Sequence, residues 1–503
     1  MPSERRLHPL SFLFLVGGQL QQLVVPFLLL LVGAGTAGFD LEWILPFIVV
    51  YTLLALLRVL SFRYRFDETE MVITTGFIFR NERHIPYGRI HNIDAVQNVA
   101  HRILKVVEVR VETGGGDEPE ATLRVLPANA LTEMRERVFA GRTARPAAVD
   151  QEAEAPAPTA TRTLLELRPR DLLLAGFIDS RGLVIVGAAF GLLWEFGLFD
   201  RTMEKLFGDT VSGRRLVMQF FRAISGGGVP PISRILFVAG AFVVVLIIMR
   251  LLSMAWSFVR LYGFRLRRIG DDLRAEFGLF TRIMATIPLT RIQTLTIREG
   301  PLHRWFRTAS VRVDSAGGTG RAGASAKRES LAPIVRASDL PSLLREVLPE
   351  VDFSTIDWRP VDPRGFRRAL KASLIVCVVL MAPFVLMLKW WTPALFVLLA
   401  AWSYIDVKLE IANMGWAAAD RAVLFRSGWL FRRITVARYT KIQTVSLTES
   451  PFDRRHRMAA VRIDSAGASE TSHRIRIPYL ARATAEDLFR RLAGEAARTE
   501  YRW

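Results

Sequence analysis

One stretch of this chain occurs three times. Residues 291–317 read RIQTLTIREGPLHRWFRTASVRVDSAG, residues 89–115 read RIHNIDAVQNVAHRILKVVEVRVETGG, and residues 441–467 read KIQTVSLTESPFDRRHRMAAVRIDSAG. The three align without a gap, 202 and 150 residues apart (291−89 and 441−291), and the register extends upstream to Gly76, Gly278 and Gly428. A repeat of this kind predicts one structural unit made three times, not a single large domain.

What surrounds the repeats narrows the class. The chain has 503 residues, of which 51% are hydrophobic and 23% charged, and its mean hydropathy is +0.25. Soluble proteins seldom combine these values; apolar membrane spans alternating with polar domains do. A formal net charge of +19 draws a chain to nucleic acid or to an anionic membrane surface, and the apolar runs favour the second. With one cysteine, Cys377, neither an intramolecular disulfide nor a multi-cysteine metal site can form.

Apolar runs at 10–35 and 41–60 are each long enough to cross a bilayer of ~30 Å. Their short connector predicts a hairpin of spans, not a cleavable signal peptide. Further runs lie at 172–198 and 235–259, separated by a long loop, and at 369–388 and 391–405. The expected plan is a membrane α plus β protein with six transmembrane helices in three hairpins. The hairpins fall at residues 10–61, 171–260 and 369–405, each followed by a β-rich domain at 62–141, 261–350 and 406–495. Residues 142–170, rich in Ala, Pro and Thr, and 351–368 are expected as linkers. Basic flanks place the domains on the cytoplasmic face of the membrane.

Within the first polar unit, Val107, Val109 and Val111 alternate with Glu108 and Arg110, the pattern of a half-buried strand. Residues 71–80 around Gly76 read as a β-hairpin. Each unit is expected to close with a helix, carrying Leu131, Met134 and Val138 in the first and Leu343, Leu344 and Val347 in the second, and beginning after Thr484 in the third.

The motif I-Q-T, then proline, arginine and V-R-V-D-S-A-G resembles the bacterial pleckstrin-homology (PH) domain family, the YdbS/YdbT-like membrane proteins. Gln293 and Gln443, Pro301 and Pro451, and Arg304 and Arg454 carry the match. The first repeat departs, with His91 for Gln and Val99 for Pro; the third has Arg438 where Pro86 and Pro288 stand. The resemblance implies a PH-like β-sandwich or partly open barrel closed by a C-terminal helix. It implies no catalytic activity.

The residues themselves offer little chemistry. GTGRAG at 318–323 has dinucleotide-binding spacing, but a strand-like segment follows it, not a helix, so it reads as a hairpin loop. His303 aligns with His101 but with Asp453 in the third repeat, and no paired metal-ligand spacing occurs. Neither an enzyme nor any cofactor or metal is expected. Arg102, Arg304 and Arg454 align, as do Glu112, Asp314 and Asp464, which predicts an arginine–acid tie inside each repeat. Arg80, Arg83, Arg267, Arg268, Arg432, Arg433 and Arg438 differ more between repeats and form the expected lipid or partner surface. Gln19, Gln21, Gln22, Asp179, Arg181 and Glu195 lie in apolar runs, where polar groups bond between helices or line a transport path. The expected function is a non-enzymatic scaffold whose domains bind membrane lipids and another membrane or cytosolic protein, with no nucleic acid. The alternative is a transporter or an export- or resistance-linked component.

Overall fold

A computed structural model describes residues 61–127 apart from a few positions, then 161–179, 231–315, 330–387, 392–465 and 475–498, with isolated positions elsewhere. Two compact units divide the chain. One comprises Glu166–Arg265 with Phe277–Phe280, and the other holds the remainder.

Each repeat builds an antiparallel sheet of four strands and a second of three. The first repeat contributes β1 (Arg5–Arg6), β2 (Arg63–Phe66), β3 (Glu70–Thr75) and β4 (Asn81–Pro86), then β5 (Ile90–Gln97), β6 (Val106–Thr113) and β7 (Ala121–Pro127). The second contributes β8 (Thr161–Glu166), β9 (Arg265–Ile269), β10 (Asp272–Phe277) and β11 (Arg282–Pro288), then β12 (Ile292–Glu299), β13 (Thr308–Ser315) and β14 (Ser330–Arg336). The third contributes β15 (Arg359–Pro360), β16 (Gly415–Ala418), β17 (Ala422–Ser427) and β18 (Arg432–Arg438), then β19 (Ile442–Thr448), β20 (Met458–Ser465) and β21 (Ile475–Ala481). The first strand of every repeat therefore precedes the apolar segment, which is an insertion between neighbouring strands. Sequence reading treats 142–170 and 351–368 as linkers, yet β8 and β15 lie in them, too short and polar to announce themselves.

Alternation explains the strands. Val107, Val109 and Val111 are buried and pack with Tyr64, Phe66, Met71, Ile85, Ile93 and Leu126 to form the core of the first repeat. In the third, Trp416, Val423, Ile442, Val461, Ile463 and Ile477 do the same beneath Ala485, Leu488 and Leu492 of the closing helix. The closing helix of the second repeat buries the expected Leu343, Leu344 and Val347. Of the helix expected in the first, Leu131 and Val138 lie outside the described residues, while Met134 is buried.

Successive repeats are joined edge to edge. β5 pairs with β11, so the strand order β7-β6-β5-β11-β10-β9-β8 forms one seven-stranded sheet. β12 pairs with β18, giving a second such sheet in the order β14-β13-β12-β18-β17-β16-β15. In this second seam Thr294, Leu295, Thr296 and Ile297 face Ala437, Val436, Thr435 and Ile434.

Nine helices accompany the strands among the described residues: α1 (Val99–Ile103), α2 (Pro169–Ile178), α3 (Pro231–Leu261), α4 (Pro301–Trp305), α5 (Leu340–Val347), α6 (Arg364–Met387), α7 (Thr392–Asn413), α8 (Pro451–Arg455) and α9 (Arg482–Arg498). The expectation of six transmembrane helices is not met. Among the described residues one helical stretch, Phe242–Leu261 in α3, is long and apolar enough to cross a membrane. Charge shortens the apolar stretches of the third pair. α6 opens with Arg364, Arg367, Arg368 and Lys371, and α7 does not stop at residue 405 but runs on through Asp406, Lys408 and Glu410. Several of these charges bind the third domain: Trp429 Nε1 donates to Asp406 (2.8 Å), the Gly428 amide to Glu410 (3.1 Å), and Arg368 to Asp453 (3.1 Å). The expected spans at 10–61, with Gln19, Gln21 and Gln22, lie outside the described residues, as do Arg181, Glu195 and most of the loop that follows.

α2 packs on α3 through small residues. A Cβ on Gly176 would lie 2.6 Å from the Ser257 Cβ, and Ser253 Oγ donates to the Gly176 and Asp179 carbonyls at 3.0 Å each. Arg250 donates to the Phe177 carbonyl (2.7 Å) and lies over the Phe177 ring.

Two substitutions test this architecture. Arg438 is 7% exposed and donates to the carbonyls of Leu289 (2.9 Å) and Val347 (3.2 Å) in the preceding repeat. Arg438→Ala leaves both without that donor and is expected to cost about 3 kcal/mol in urea unfolding, with Arg438→Lys recovering only part because an ammonium lacks the guanidinium fork. Gly76, Gly278 and Gly428 have φ of 100°, 113° and 85°. At Gly428 a Cβ would sit 2.0 Å from the Phe431 carbonyl oxygen, so Gly428→Ala is expected to lower stability by roughly 2 kcal/mol by the same measurement.

Candidate membrane-contact surface

A short helix lies between the first two strands of each three-stranded sheet. α4 and α8 open on Pro301 and Pro451, where a missing N–H costs nothing. The third helical residue reaches back to cap the turn: the Gly300 amide donates to His303 Nδ1 (3.4 Å) and the Ser450 amide to Asp453 (3.1 Å). At α1, Asn98 caps the His101 amide (2.8 Å) and also meets the His101 ring. Local capping accounts for His303 and Asp453 at one aligned position. Helices α4 and α8 end in left-handed residues, Arg307 (φ 49°) and Arg457 (φ 53°), which turn the chain into the next strand.

These helices expose apolar side chains. Trp305 is 80% exposed, Phe306 43%, Phe452 62% and Ile103 74%. At α4 the exposed group is extended by the β17–β18 turn of the next repeat. Arg304 donates to the Leu430 carbonyl (3.0 Å), and Phe431, 71% exposed, lies against Gly300. Trp429 of the same turn packs against Trp402 of α7 (ring centroids 6.4 Å apart), where Val397, Leu398 and Trp402 are also exposed. Trp305 and Phe306 on α4, and Phe431 on the turn that meets its N-cap Gly300, are thus all exposed, with exposed Arg307 and Arg433 and half-buried Arg432 close to them in sequence.

The arginines singled out in the sequence fall into two sets. Arg80, Arg83 and Arg433 are exposed; Arg267 is half-buried. Arg432 faces Glu299 at 3.9 Å. Arg268 is engaged internally, donating to the Glu346 carboxylate (2.9 Å) and to the Glu346 carbonyl (3.2 Å) on α5. Arg438 is buried in the second seam. Burial lowers its pKa from the ordinary value, and Glu350, 3.9 Å away, opposes that shift.

The repeat-defining residues are distributed as follows. Gln293 is buried under the seam, while Gln443 is exposed. Arg102 and Arg454 are exposed. Arg304 binds Leu430, and Asp314 accepts from Thr294 Oγ1 (2.7 Å), so the arginine–acid tie expected in the second repeat is replaced by two other bonds. Asp464 is half-buried, and the side chain of Glu112 lies outside the described residues, as does the 318–323 loop. Sequence reading missed the aromatic group because its members come from two repeats.

The comparisons with known proteins agree with this fold. The family model described as Bacterial PH domain matches residues 13–141, 228–351 and 366–496. The chain belongs to that family. It is similar to the UPF0699 transmembrane protein YdbT of Bacillus subtilis (strain 168), at 22% identity over 496 residues, covering 94% of each chain. No solved structure matches it. That relative is named a transmembrane protein, and α3 of this chain holds a stretch long and apolar enough to cross a membrane.

Burial alone would raise the Asp453 carboxyl, but hydrogen bonds from Ser450 and the charge and hydrogen bond of Arg368 outweigh it and hold it below its ordinary value. A carboxyl depressed in the folded state stabilises above its unfolded pKa of ~3.9 and loses that contribution as pH falls through the folded value. Arg368→Ala is therefore expected to destabilise by about 1–2 kcal/mol at pH 7, with the difference from the parent shrinking below pH ~4, read from denaturation midpoints.

Proposed function

We propose that this protein is a non-enzymatic platform in a bacterial plasma membrane, its PH-like domains on the cytoplasmic side, and that it holds anionic lipid headgroups through the aromatic–arginine surface of α4 and the β17–β18 turn. The observation that carries this reading is the joint exposure of Trp305 (80%) and Phe306 on α4 and of Phe431 on the turn that Arg304 binds, with Arg307 and Arg433 exposed close by in sequence. Indole and phenyl rings partition into the interfacial region of a bilayer, and arginines around them meet phosphate. A net charge of +19 raises the attraction further. A protein that presents these rings to water alone leaves apolar area exposed for no gain.

The test places an environment-sensitive fluorophore at Trp305→Cys in a Cys377→Ala background, with the full chain in nanodiscs. Blue-shifted emission is expected in discs containing phosphatidylglycerol and much less in pure phosphatidylcholine. Arg307→Gln and Arg433→Gln are each expected to weaken the response about fivefold, the effect of ~1 kcal/mol per surface arginine. Water-like emission in both disc types overturns the lipid reading. A blue shift that requires a co-purified protein instead assigns the surface to a protein partner.

A further inference from the structure

The two internal seams share one register. In the first, Gln97, Val96 and Ala95 face Arg282, Ile283 and Met284. In the second, Glu299, Arg298 and Ile297 face Arg432, Arg433 and Ile434. Shifting the first set by the repeat offsets of 202 and 150 superimposes it on the second. Every repeat thus carries two complementary edges: the last strand of its four-stranded sheet and the first strand of its three-stranded sheet. β11 and β18 are consumed by β5 and β12, but β4 ends the sheet β1-β2-β3-β4 and β19 ends the sheet β19-β20-β21.

Exposure marks the two remaining edges. Thr294 and Thr296 on β12 are 3% and 1% exposed under β18, whereas the equivalent Thr444 and Ser446 on β19 are exposed. Thr435 on β18 is 5% exposed, whereas Arg83 at the same position of β4 is exposed. A strand edge left open presents unpaired N–H and C=O groups that template another strand.

We infer that β19 of one molecule pairs antiparallel with β4 of a second copy of this chain, in the register of the internal seams. Ser446 then lies opposite Arg83, and Thr444 opposite Ile85, as Thr296 faces Thr435 and Thr294 faces Ala437 within the chain. The occupant is a second copy because the chain already forms this seam twice and, among the described residues, leaves one half of it at the edge of a sheet on β4 and the other on β19. The contact is heterologous, so it repeats into a closed ring or an open filament. Glu82 and His84 replace the Met284 and Thr286 of β11, which makes the outer seam more polar than the inner ones. Charges on an edge strand block promiscuous pairing, and they make this seam reversible and dependent on concentration in the membrane plane. The inference is independent of the lipid contact at Trp305.

The test is disulfide trapping of the full chain in membranes, again with Cys377→Ala. Directly opposed cross-strand residues have Cα atoms ~4.5–5.5 Å apart, within disulfide reach. Mixing Ser446→Cys with Arg83→Cys molecules is expected to give a heterodimer under mild oxidation, at least tenfold more than either variant alone or than Ser446→Cys mixed with the off-register His84→Cys. The doubly substituted chain is expected to give a ladder or one closed species. Both positions are exposed, so the fold is not at risk. No dimer above the unmixed controls overturns the inference. So does Ser446→Cys trapping itself as efficiently as it traps Arg83→Cys, or trapping a different protein.

Discussion

Backbone hydrogen bonding between one repeat and the next is the constraint on which the rest of this structure depends. A three-stranded sheet ends on an open edge, as does a four-stranded one, and an open edge is costly to leave uncovered. The chain covers two of each by joining β5 to β11 and β12 to β18. Three PH-like units therefore do not behave as beads on a string. Placement of α4 beside the β17–β18 turn, and hence the aromatic surface, follows from the second seam.

That seam is held along its length and at both ends. The strands supply the ladder. At one end Arg438 spans to the Leu289 and Val347 carbonyls; at the other, Arg304 reaches Leu430. A proline at position 438 could make neither bond, and proline is what the other two repeats carry there, at Pro86 and Pro288. The buried guanidinium is desolvated, but two carbonyls and the nearby Glu350 offset that cost. Helices α6 and α7 bind the same domain through Arg368, Asp406 and Glu410.

Much of the fold is legible in the sequence, because strand alternation and glycine turns are local. Val107, Val109 and Val111 betray their buried face, and Gly76, Gly278 and Gly428 betray turns that need positive φ. The closing helices of the second and third repeats are visible in their apolar stripes. The seams are not, since a strand paired on one edge and a strand paired on both show the same alternation. Arg438 is visible as a departure from proline, but charge alone suggests a surface, and only the position of the preceding repeat shows that it is buried. The short strands β8 and β15 carry too few residues to establish a period. At α7, apolar length marks only part of the helix, because the charges at 406, 408 and 410 continue it into the domain without breaking it. Of the candidate site, the arginines could be read but the aromatic grouping could not, as it exists only once two repeats are joined.

Amide hydrogen exchange on the full-length protein, kept dilute in detergent, tests the joined-sheet account most directly. The amides of β11, β12 and β18 that face the seams should exchange as slowly as those of the central strands β13 and β17. Amides on the outer edge of β4 should exchange orders of magnitude faster. Rapid exchange along β12 and β18, comparable with that of β4, would contradict the account and restore three independent domains.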